Sequence, residues 1–411
     1  MDALCIPASK TVIYNMMVRK ILMVWIMLVA VQVRTCAQTP DSILINQLVK
    51  DIAAMQYTSE GKYGFHPGMF YSYKKWAGHP NRYSPDNNIF YTGIVAFALQ
   101  NMLPYLSDDN RAISKSIIAK AAGSYHFYQN KKNLPSYFFW QDGKPIMHNT
   151  LFVYKLSNLI ATSEDVDDSV ILLMTMQSPD SSIQRLKLVM DSVANGKIRR
   201  IKNTYKKYKI LPAHTTYLGK KMRVDFDMAV HCNVLYFLLE KQLPFNQNDS
   251  ATLKIVTDMV ANREYMTDPK YIAPYYITSP VILYHLTRLM SKFKIPALEV
   301  NREQLVADLN LLLTKSSNIM DDIILSTSLL RLRKPVAALP INSLQGFNTS
   351  NQNNFVFYQA RAASQLSNPF KRMLLNFNML NYHFFCPAYN KVLLLEYLVE
   401  RSPLNPPKGE L

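Results

Sequence analysis

The sequence predicts an all-α protein with the architecture of an (α/α)6 toroid, in which six outer helices surround six inner ones. Strand signals are scarce, because alternating apolar and polar runs are few and the 411 residues include only 11 glycines. Long helical patterns fill most of the chain instead. Helices that are apolar on almost every face alternate along the sequence with amphipathic helices, as a toroid of this kind requires.

Six segments have the pattern of helices enclosed on all sides, because apolar side chains cover almost their whole circumference. These are 88–103, 165–176, 225–239, 279–290, 321–332 and 387–399. Six further segments have one charged face that favours contact with water. These are 41–55, 109–128, 181–193, 249–262, 302–314 and 359–376. We expect the first set to form the inner ring and the second set the outer ring.

The order of these segments also predicts where polar side chains meet. If each inner helix is followed by an outer helix that runs back, the six inner helices are parallel and their N-termini open at one end of the toroid. Aspartate and aromatic residues dominate the starts of the inner helices. We therefore expect these side chains to converge on one pocket.

The first 37 residues have the features of a secretory signal peptide. Arg19 and Lys20 end a short basic stretch, an apolar run of eleven residues follows at 21–31, and Ala37 is a small residue suited to cleavage. Such a run is too short to cross a bilayer as a helix, and residues 1–15 resemble an upstream extension. The sequence predicts a periplasmic or secreted protein with one toroid domain at 38–411.

The chain is strongly basic, with a formal net charge of +17. The run 197–209 is dense in Lys and Arg, and it is compatible with a solvated loop or with a contact to an anionic membrane surface. Nucleic acid is not an expected partner outside the cytoplasm. Beyond residue 37 the cysteines are Cys232 and Cys386, too few for a disulfide scaffold. Opposite positions in a six-helix ring would keep both thiols free.

Glu164, Asp165, Asp167 and Asp168 place four carboxyl groups within five residues, directly before an apolar run. One aspartate is enough to cap a helix, and Asp165 is well placed to do so. Asp167 lies roughly 200° around the helix from Asp165, so one cap cannot use both. Burial of such a cluster favours a proton shared among several acids, as general acid catalysis requires. Asp165, Asp167 and Asp168 are therefore candidate catalytic residues, together with Asp227.

Other polar and aromatic residues near the inner-helix starts are candidate substrate-binding groups. They are Asp225, His231, Tyr91, Trp140, Tyr275 and Tyr276. No metal site is predicted here, because His231 and Cys232 are adjacent and point about 100° apart on a helix. No cofactor is expected either.

The stretch Asp165-Val166-Asp167-Asp168-Ser169 resembles the D-x-D-D-T acid motif of class II terpene cyclases, with serine in place of threonine. The resemblance implies an α/α toroid whose middle aspartate, here Asp167, protonates an alkene or epoxide. It also implies aromatic rings that stabilise a carbocation by cation–π contact. A hydrophobic, isoprenoid-like substrate follows from the same resemblance.

Two other functions are compatible with the sequence. A secreted (α/α)6 glycoside hydrolase or polysaccharide lyase would use Asp167 and Asp227 as its acid and base, with Trp76, Trp140 and Tyr276 as platforms for sugar rings. A non-catalytic toroid would bind a lipid or a protein partner. A closed apolar cavity around Asp167 would favour the isoprenoid, whereas an open groove with exposed tryptophans would favour the glycan.

Overall fold

A computed structural model describes residues 40–78, 83–132, 134–143, 164–219, 222–349 and 355–402. The predicted signal peptide lies outside these ranges. By its contacts, Ile45–Leu411 is one compact unit. Within the described ranges, no helix combines the length and the apolar composition needed to cross a membrane.

Most of the described chain is helical, as the sequence predicts. The helices are α1 (Pro40–Ala54), α2 (Phe90–Met102), α3 (Asp108–Ser124), α4 (Val166–Thr175), α5 (Asp180–Val193), α6 (Met228–Glu240), α7 (Gln247–Ala261), α8 (Glu264–Thr267), α9 (Pro269–Ile272), α10 (Ser279–Lys292), α11 (Pro296–Glu299), α12 (Arg302–Lys315), α13 (Ile319–Arg331), α14 (Leu344–Thr349), α15 (Phe370–Leu374) and α16 (Pro387–Arg401). All six predicted inner helices are present, within three residues of their expected ends.

The six inner helices contact one another in a closed cycle. In order, α2 contacts α4, α4 contacts α6, α6 contacts α10, α10 contacts α13, α13 contacts α16, and α16 contacts α2. Every residue of α4 is buried, and α6 is buried from Met228 to Leu238. The prediction that these helices are enclosed is confirmed, because their apolar circumference has no other place to avoid water.

Amphipathic helices cover part of this cycle from outside. Helix α3 packs on α2, α5 on α4, α7 on α6, and α12 on α13. In α5 the buried side chains are Ile183, Leu186, Lys187 and Met190, which recur at the spacing of a single helix face. Four of the enclosed helices therefore each pack against an amphipathic helix.

The prediction of an all-α fold is incomplete, because the described residues also form a four-stranded antiparallel sheet. Its strands are β1 (Tyr73–Trp76), β2 (Tyr83–Pro85), β3 (Tyr358–Arg361) and β4 (Asn381–Phe385), in the order β2-β1-β4-β3. Phe384 of β4 pairs with Lys74 on one side and with Tyr358 on the other.

The sixth predicted outer helix, 359–376, is wrong. In its place the chain forms β3, a short 3-10 turn and α15. Gln359 and Arg361 are buried at alternate positions of β3. Burial therefore repeats every two residues, as in a strand, and not every three to four residues as in the expected helix. Pro369 lies in the middle of the predicted helix, where its ring and missing N–H interrupt helical hydrogen bonding.

Candidate functional site

The acid motif lies at the start of α4, on a segment held between two other chain segments. Asp165 pairs through isolated bridges with Tyr137 on one side and Tyr217 on the other, and its N–H donates to the Tyr137 carbonyl at 2.9 Å. The next residue, Val166, donates its N–H to the Thr216 carbonyl at 2.9 Å. These bonds fix the first turn of α4, so the carboxyl groups of the motif are held on rigid backbone.

Asp165 is the N-cap of α4, as predicted. Its backbone is extended, and its carboxylate accepts a hydrogen bond from the Asp167 N–H at 2.7 Å. Asp165, Asp167 and Asp168 are 6%, 4% and 1% exposed, respectively. Burial raises the pKa of all three carboxyl groups, and the charge of Asp167 raises that of Asp165 further. Three acids in one buried turn cannot all be ionised, so the cluster holds protons at neutral pH.

Asp167 accepts hydrogen bonds on both carboxylate oxygens. Asn233 of α6 donates to Oδ1 at 2.6 Å, and the Tyr276 hydroxyl donates to Oδ2. Although burial raises the pKa of Asp167, these two bonds and the positive charge of Arg288 act to lower it. Arg288 also donates to Asn233, so a buried polar chain joins three inner helices behind Asp167.

Asp168 has the opposite surroundings. Neither of its carboxyl oxygens has a hydrogen-bond partner among the residues that the structure describes. Burial raises the pKa of Asp168 well above its usual range, and the charges of Asp165 and Asp167 raise it further. An unpartnered ion at this depth would carry a large desolvation penalty, so the surroundings of Asp168 favour its neutral, protonated form.

The three aspartates line one narrow cleft that is too tight to admit a water molecule. The other described residues of its wall are Phe90, Phe139, Thr216, Val230, Tyr275 and Tyr358. The ring centroids of Phe90 and Phe139 lie 5.2 and 5.4 Å from that of Tyr358. The acid cluster therefore faces a compact aromatic wall rather than open solvent.

Asp225 and Asp227 lie beside the cluster, at the start of α6. Asp227 is its N-cap, accepting the N–H of Ala229 at 2.8 Å, and its second oxygen accepts the Tyr275 N–H at 2.9 Å. Burial raises the pKa of Asp227 to about 7. Asp225 accepts a hydrogen bond from the Tyr275 hydroxyl at 2.8 Å. Both acids are thus tied to Tyr275, which lines the acid cavity.

The structure does not bring every predicted site residue to this cavity. The Tyr91 hydroxyl donates to the Phe384 carbonyl at 2.8 Å, and His231 Nε2 lies 2.9 Å from the His214 carbonyl. The indole N–H of Trp140 is directed to Asp86 at 3.1 Å. None of the three is among the described residues of the cavity wall. Trp140 still contributes indirectly, because its ring packs at 4.6 Å against Phe139.

Sequence reasoning missed several residues that define the site. Tyr358 was not singled out, since it lies directly before the segment 359–376 that was expected to be an outer helix. Asn233 and Arg288 do carry a recognisable signal, since each is a strongly polar side chain in the middle of an otherwise enclosed helix. Such residues are retained in a core only when they have partners there, and here they provide the support of Asp167.

A second group of potential metal ligands lies away from the motif. Ligand atoms of Asp191, His214 and Asp249 lie within 4.8 Å of one another. The ammonium group of Lys187 pairs with Asp249 at the same place, and Asn248 Nδ2 donates to Asp191 at 2.7 Å. These donors satisfy the carboxylates, so the group is an ion-pair network that joins α5 to α7.

Comparison with known protein families, with curated proteins and with solved structures finds no match for this chain.

Proposed function

We propose that this chain forms an (α/α)6-type toroid resembling class II terpene cyclases, and that its acid cluster protonates a hydrophobic, unsaturated substrate. The closed cycle of six enclosed helices supports the toroid, as do the amphipathic helices packed on four of them. In the chain, β3 and α15 occupy the segment where the sixth outer helix was predicted. The acid motif at the start of α4 supports the resemblance to these cyclases.

A single observation carries the proposed chemistry: three buried carboxyl groups with raised pKa values line a narrow cleft with aromatic walls. An alkene is a weak base, so its protonation needs an acid kept from water until the substrate is bound. Aromatic rings next to the acids would stabilise the positive charge that develops on carbon.

Asp167 is the best proton donor of the three, in agreement with its role by resemblance. Once it has lost its proton, the carboxylate is stabilised by Tyr276, by Asn233 and by the charge of Arg288. Asp168 has no such donors within the described residues and is better suited to hold a proton in reserve. In the proposed step, the π-electron pair of the alkene takes the proton of Asp167 and forms a C–H bond at one alkene carbon. The O–H bond of Asp167 breaks and leaves a carboxylate, and the other alkene carbon becomes a carbocation.

The size of the cavity sets a condition on this proposal. A cleft too tight to admit a water molecule is far smaller than the 300–1,000 Å³ that is usual for small-molecule sites. The aromatic wall of Phe90, Phe139 and Tyr358 must therefore part for a substrate to enter. The part of the substrate that reaches the acids would be an alkene end rather than a bulky ring system.

The glycan alternative receives less support. Trp76 and Trp140 are each 6% exposed, and their indole N–H groups are bonded to the Met379 carbonyl and to Asp86. Neither ring offers a platform for a sugar. Asp167 and Asp227 are 4% and 0% exposed, and the cleft at Asp167 is too tight to admit a water molecule, so an extended polysaccharide has no path between them.

Deuterium transfer from solvent tests the proposal. Linear polyprenyl alkenes and alcohols of increasing length would be incubated with the protein in D₂O, and products and recovered substrate would be analysed by mass spectrometry. We expect deuterium on carbon with the wild-type protein, and at least about a hundredfold less with Asp167→Asn, since a positioned general acid contributes 10²–10⁴-fold.

The matched control is Asp109→Asn, which removes an exposed carboxylate on α3 and should leave deuterium incorporation unchanged. Equal incorporation by wild type and Asp167→Asn would remove Asp167 as the acid. Substrate binding without any deuterium incorporation would instead favour the non-catalytic, lipid-binding alternative.

A further inference from the structure

A second cavity, separate from the acid cluster, is bordered by four basic side chains. Its volume is about 400 Å³, within the usual range for small-molecule sites. The described residues that line it are Arg199, Arg200, Lys202, Asn203, Arg223, Val224, Gln365, Leu366 and Ser367. None of these is acidic. The two cavities have no lining residue in common.

The four cations of this basic pocket have no carboxylate partner in the part of the chain that the structure describes. Arg199, Arg200, Lys202 and Arg223 are all exposed, and none takes part in an ion pair there. Nearby Lys207, in contrast, pairs with Glu264 at 2.6 Å. Four like charges around one concave site repel one another, and they attract an anion with a focused positive potential.

One guanidinium of the pocket is held in place before any ligand binds. Arg223 Nη1 donates to the Gln365 carbonyl at 3.0 Å and to the Ser367 hydroxyl at 3.3 Å. The Arg223 N–H also donates to the Gln365 side chain at 3.3 Å. A guanidinium has five N–H donors in a rigid fork, so an arginine fixed at one nitrogen can still present others to an oxyanion. Fixing it in advance reduces the entropy lost on binding.

Asn203 of the pocket is also held in place, and the carboxylate that it contacts, Asp225, lies close to a buried cation. Asn203 Nδ2 donates to Asp225 at 3.0 Å and to the Ser364 carbonyl at 2.6 Å. The ammonium group of buried Lys371 lies 3.8 Å from Asp225. The negative charge of Asp225 is therefore compensated inside the protein, and the exposed charges at the pocket are positive.

We propose that this pocket binds a phosphate or diphosphate group. Arginine forks match the oxygens of a phosphate in geometry as well as in charge, and a diphosphate with two or more negative charges balances several of the four cations. A phosphorylated small molecule and a phospholipid headgroup both present this chemistry. Of the basic run 197–209, only Arg199, Arg200, Lys202 and Asn203 are among the described lining residues, so the binding is confined to one part of that run.

Isothermal titration calorimetry with sodium pyrophosphate tests the pocket. We expect saturable binding to the wild-type protein and at least about tenfold weaker binding to Arg223→Gln and to Arg200→Gln, because a hydrogen bond to a charged group contributes enough for that change. Arg200→Gln keeps the test decisive if loss of the Arg223 contacts disturbs the loop. The thermal midpoint of each variant shows that it is folded.

The control is Lys206→Gln, which removes one positive charge from the same basic run but lies outside the described lining of the pocket. It should bind pyrophosphate within about twofold of wild type, since Lys206 is exposed and is not one of the described residues that line the pocket. Equal weakening by Arg200→Gln, Arg223→Gln and Lys206→Gln would show attraction to net charge alone and would overturn the site.

Vesicles distinguish the two sources of phosphate. Flotation would compare phosphatidylcholine vesicles with vesicles that also contain phosphatidylglycerol. Binding to the anionic vesicles that requires Arg200 and is displaced by pyrophosphate would identify a lipid headgroup, whereas pyrophosphate binding without vesicle binding would identify a soluble phosphorylated ligand. Absence of both overturns the proposal, and neither result depends on the proposed acid chemistry.

Discussion

At the scale of single residues, the partners of each buried carboxyl group decide its protonation. Asp167 and Asp168 are neighbours in the chain and equally enclosed, yet Asp167 receives two hydrogen bonds and the described residues offer none to Asp168. The first group is prepared to become an anion and the second to remain an acid. This difference is the basis of the proposed division between proton donor and proton reserve.

The protonation of Asp168 should be visible in the pH dependence of stability. Its pKa is raised in the folded state, so the folded protein keeps a proton that the unfolded chain has lost above about pH 4. The proton that the folded protein keeps on Asp168 therefore stabilises it fully below that pH. This stabilisation is lost as the pH rises through the folded-state pKa. In Asp168→Asn this contribution is absent, and no hydrogen bond between the carboxyl group and a described residue is lost.

We therefore expect the thermal midpoint of wild type to fall more steeply than that of Asp168→Asn as the pH rises from 4.5 to 8. At pH 8 the variant should be the more stable protein, because Asn at this position carries no charge to bury. Circular dichroism melts at several pH values measure this difference. Asp109→Asn serves as the surface control, and parallel curves for wild type and Asp168→Asn would show that Asp168 is not a buried neutral acid.

At the scale of elements, short connections determine how the helices are held together. The connection after α1 closes on itself, with Tyr57 N–H donating to Met69 and Gly68 N–H donating to Tyr57, at 2.9 and 2.7 Å. Gln56 then joins this connection to α3 by donating to the carbonyls of Gly68 and Ile117. Backbone geometry at Gly68 is therefore critical for the attachment of an outer helix.

Gly68→Ala should destabilise the protein by at least about 2 kcal/mol. Gly68 has a φ of +91°, and a Cβ atom would lie only 2.0 Å from the backbone carbonyl oxygen of Lys120. Strained left-handed backbone alone costs about 1–3 kcal/mol, and a rigid carbonyl cannot yield as a flexible side chain would. Urea unfolding of the two proteins measures the loss.

Gly123→Ala is the matched control for this prediction. Gly123 lies near the end of α3, and a Cβ atom there would meet nothing within 4 Å. Alanine should raise the free energy of unfolding by about 0.5–1 kcal/mol, because glycine is the poorer helix former. A Gly68→Ala protein as stable as wild type would contradict the close approach between the connection and α3.

At the scale of the whole molecule, the cycle of helices determines how far apart the two cysteines lie. Cys232 lies on α6 and Cys386 directly before α16, three contacts apart in either direction around the cycle. Both thiols are buried and free, as predicted. Burial raises the pKa of the Cys386 thiol to about 12 and that of Cys232 well above its usual value.

Alkylation under two conditions tests this arrangement. Because the buried thiols are protonated and the thiolate is the reactive form, the folded protein should react slowly with iodoacetamide. After denaturation without reductant, mass spectrometry of protein lacking residues 1–37 should show two modified cysteines per chain. A disulfide between Cys232 and Cys386 would mean that the order of helices around the cycle is wrong.

The sequence by itself determined the enclosed helices and the acid motif. An apolar circumference leaves a helix only one kind of environment, so 165–176 and 225–239 could be recognised as buried helices without knowing their neighbours. The capping role of Asp165 was equally local, since it depends on the residue type and on the turn that follows. The sheet was not predictable in this way, because β3 is a strand only where β4 lies beside it, and strand pairing is a long-range event.

Only the tertiary structure decided what the acid motif faces. The sequence placed Asp165, Asp167 and Asp168 together, but their pKa values depend on groups brought from other elements: Asn233, Tyr276 and Arg288 behind Asp167, and the aromatic wall in front of it. The basic pocket likewise combines 199–203 with Arg223 and 365–367, segments far apart in the chain. Local pattern fixes which residues must be buried, whereas charge and solvation depend on everything within a few ångströms, regardless of distance along the sequence.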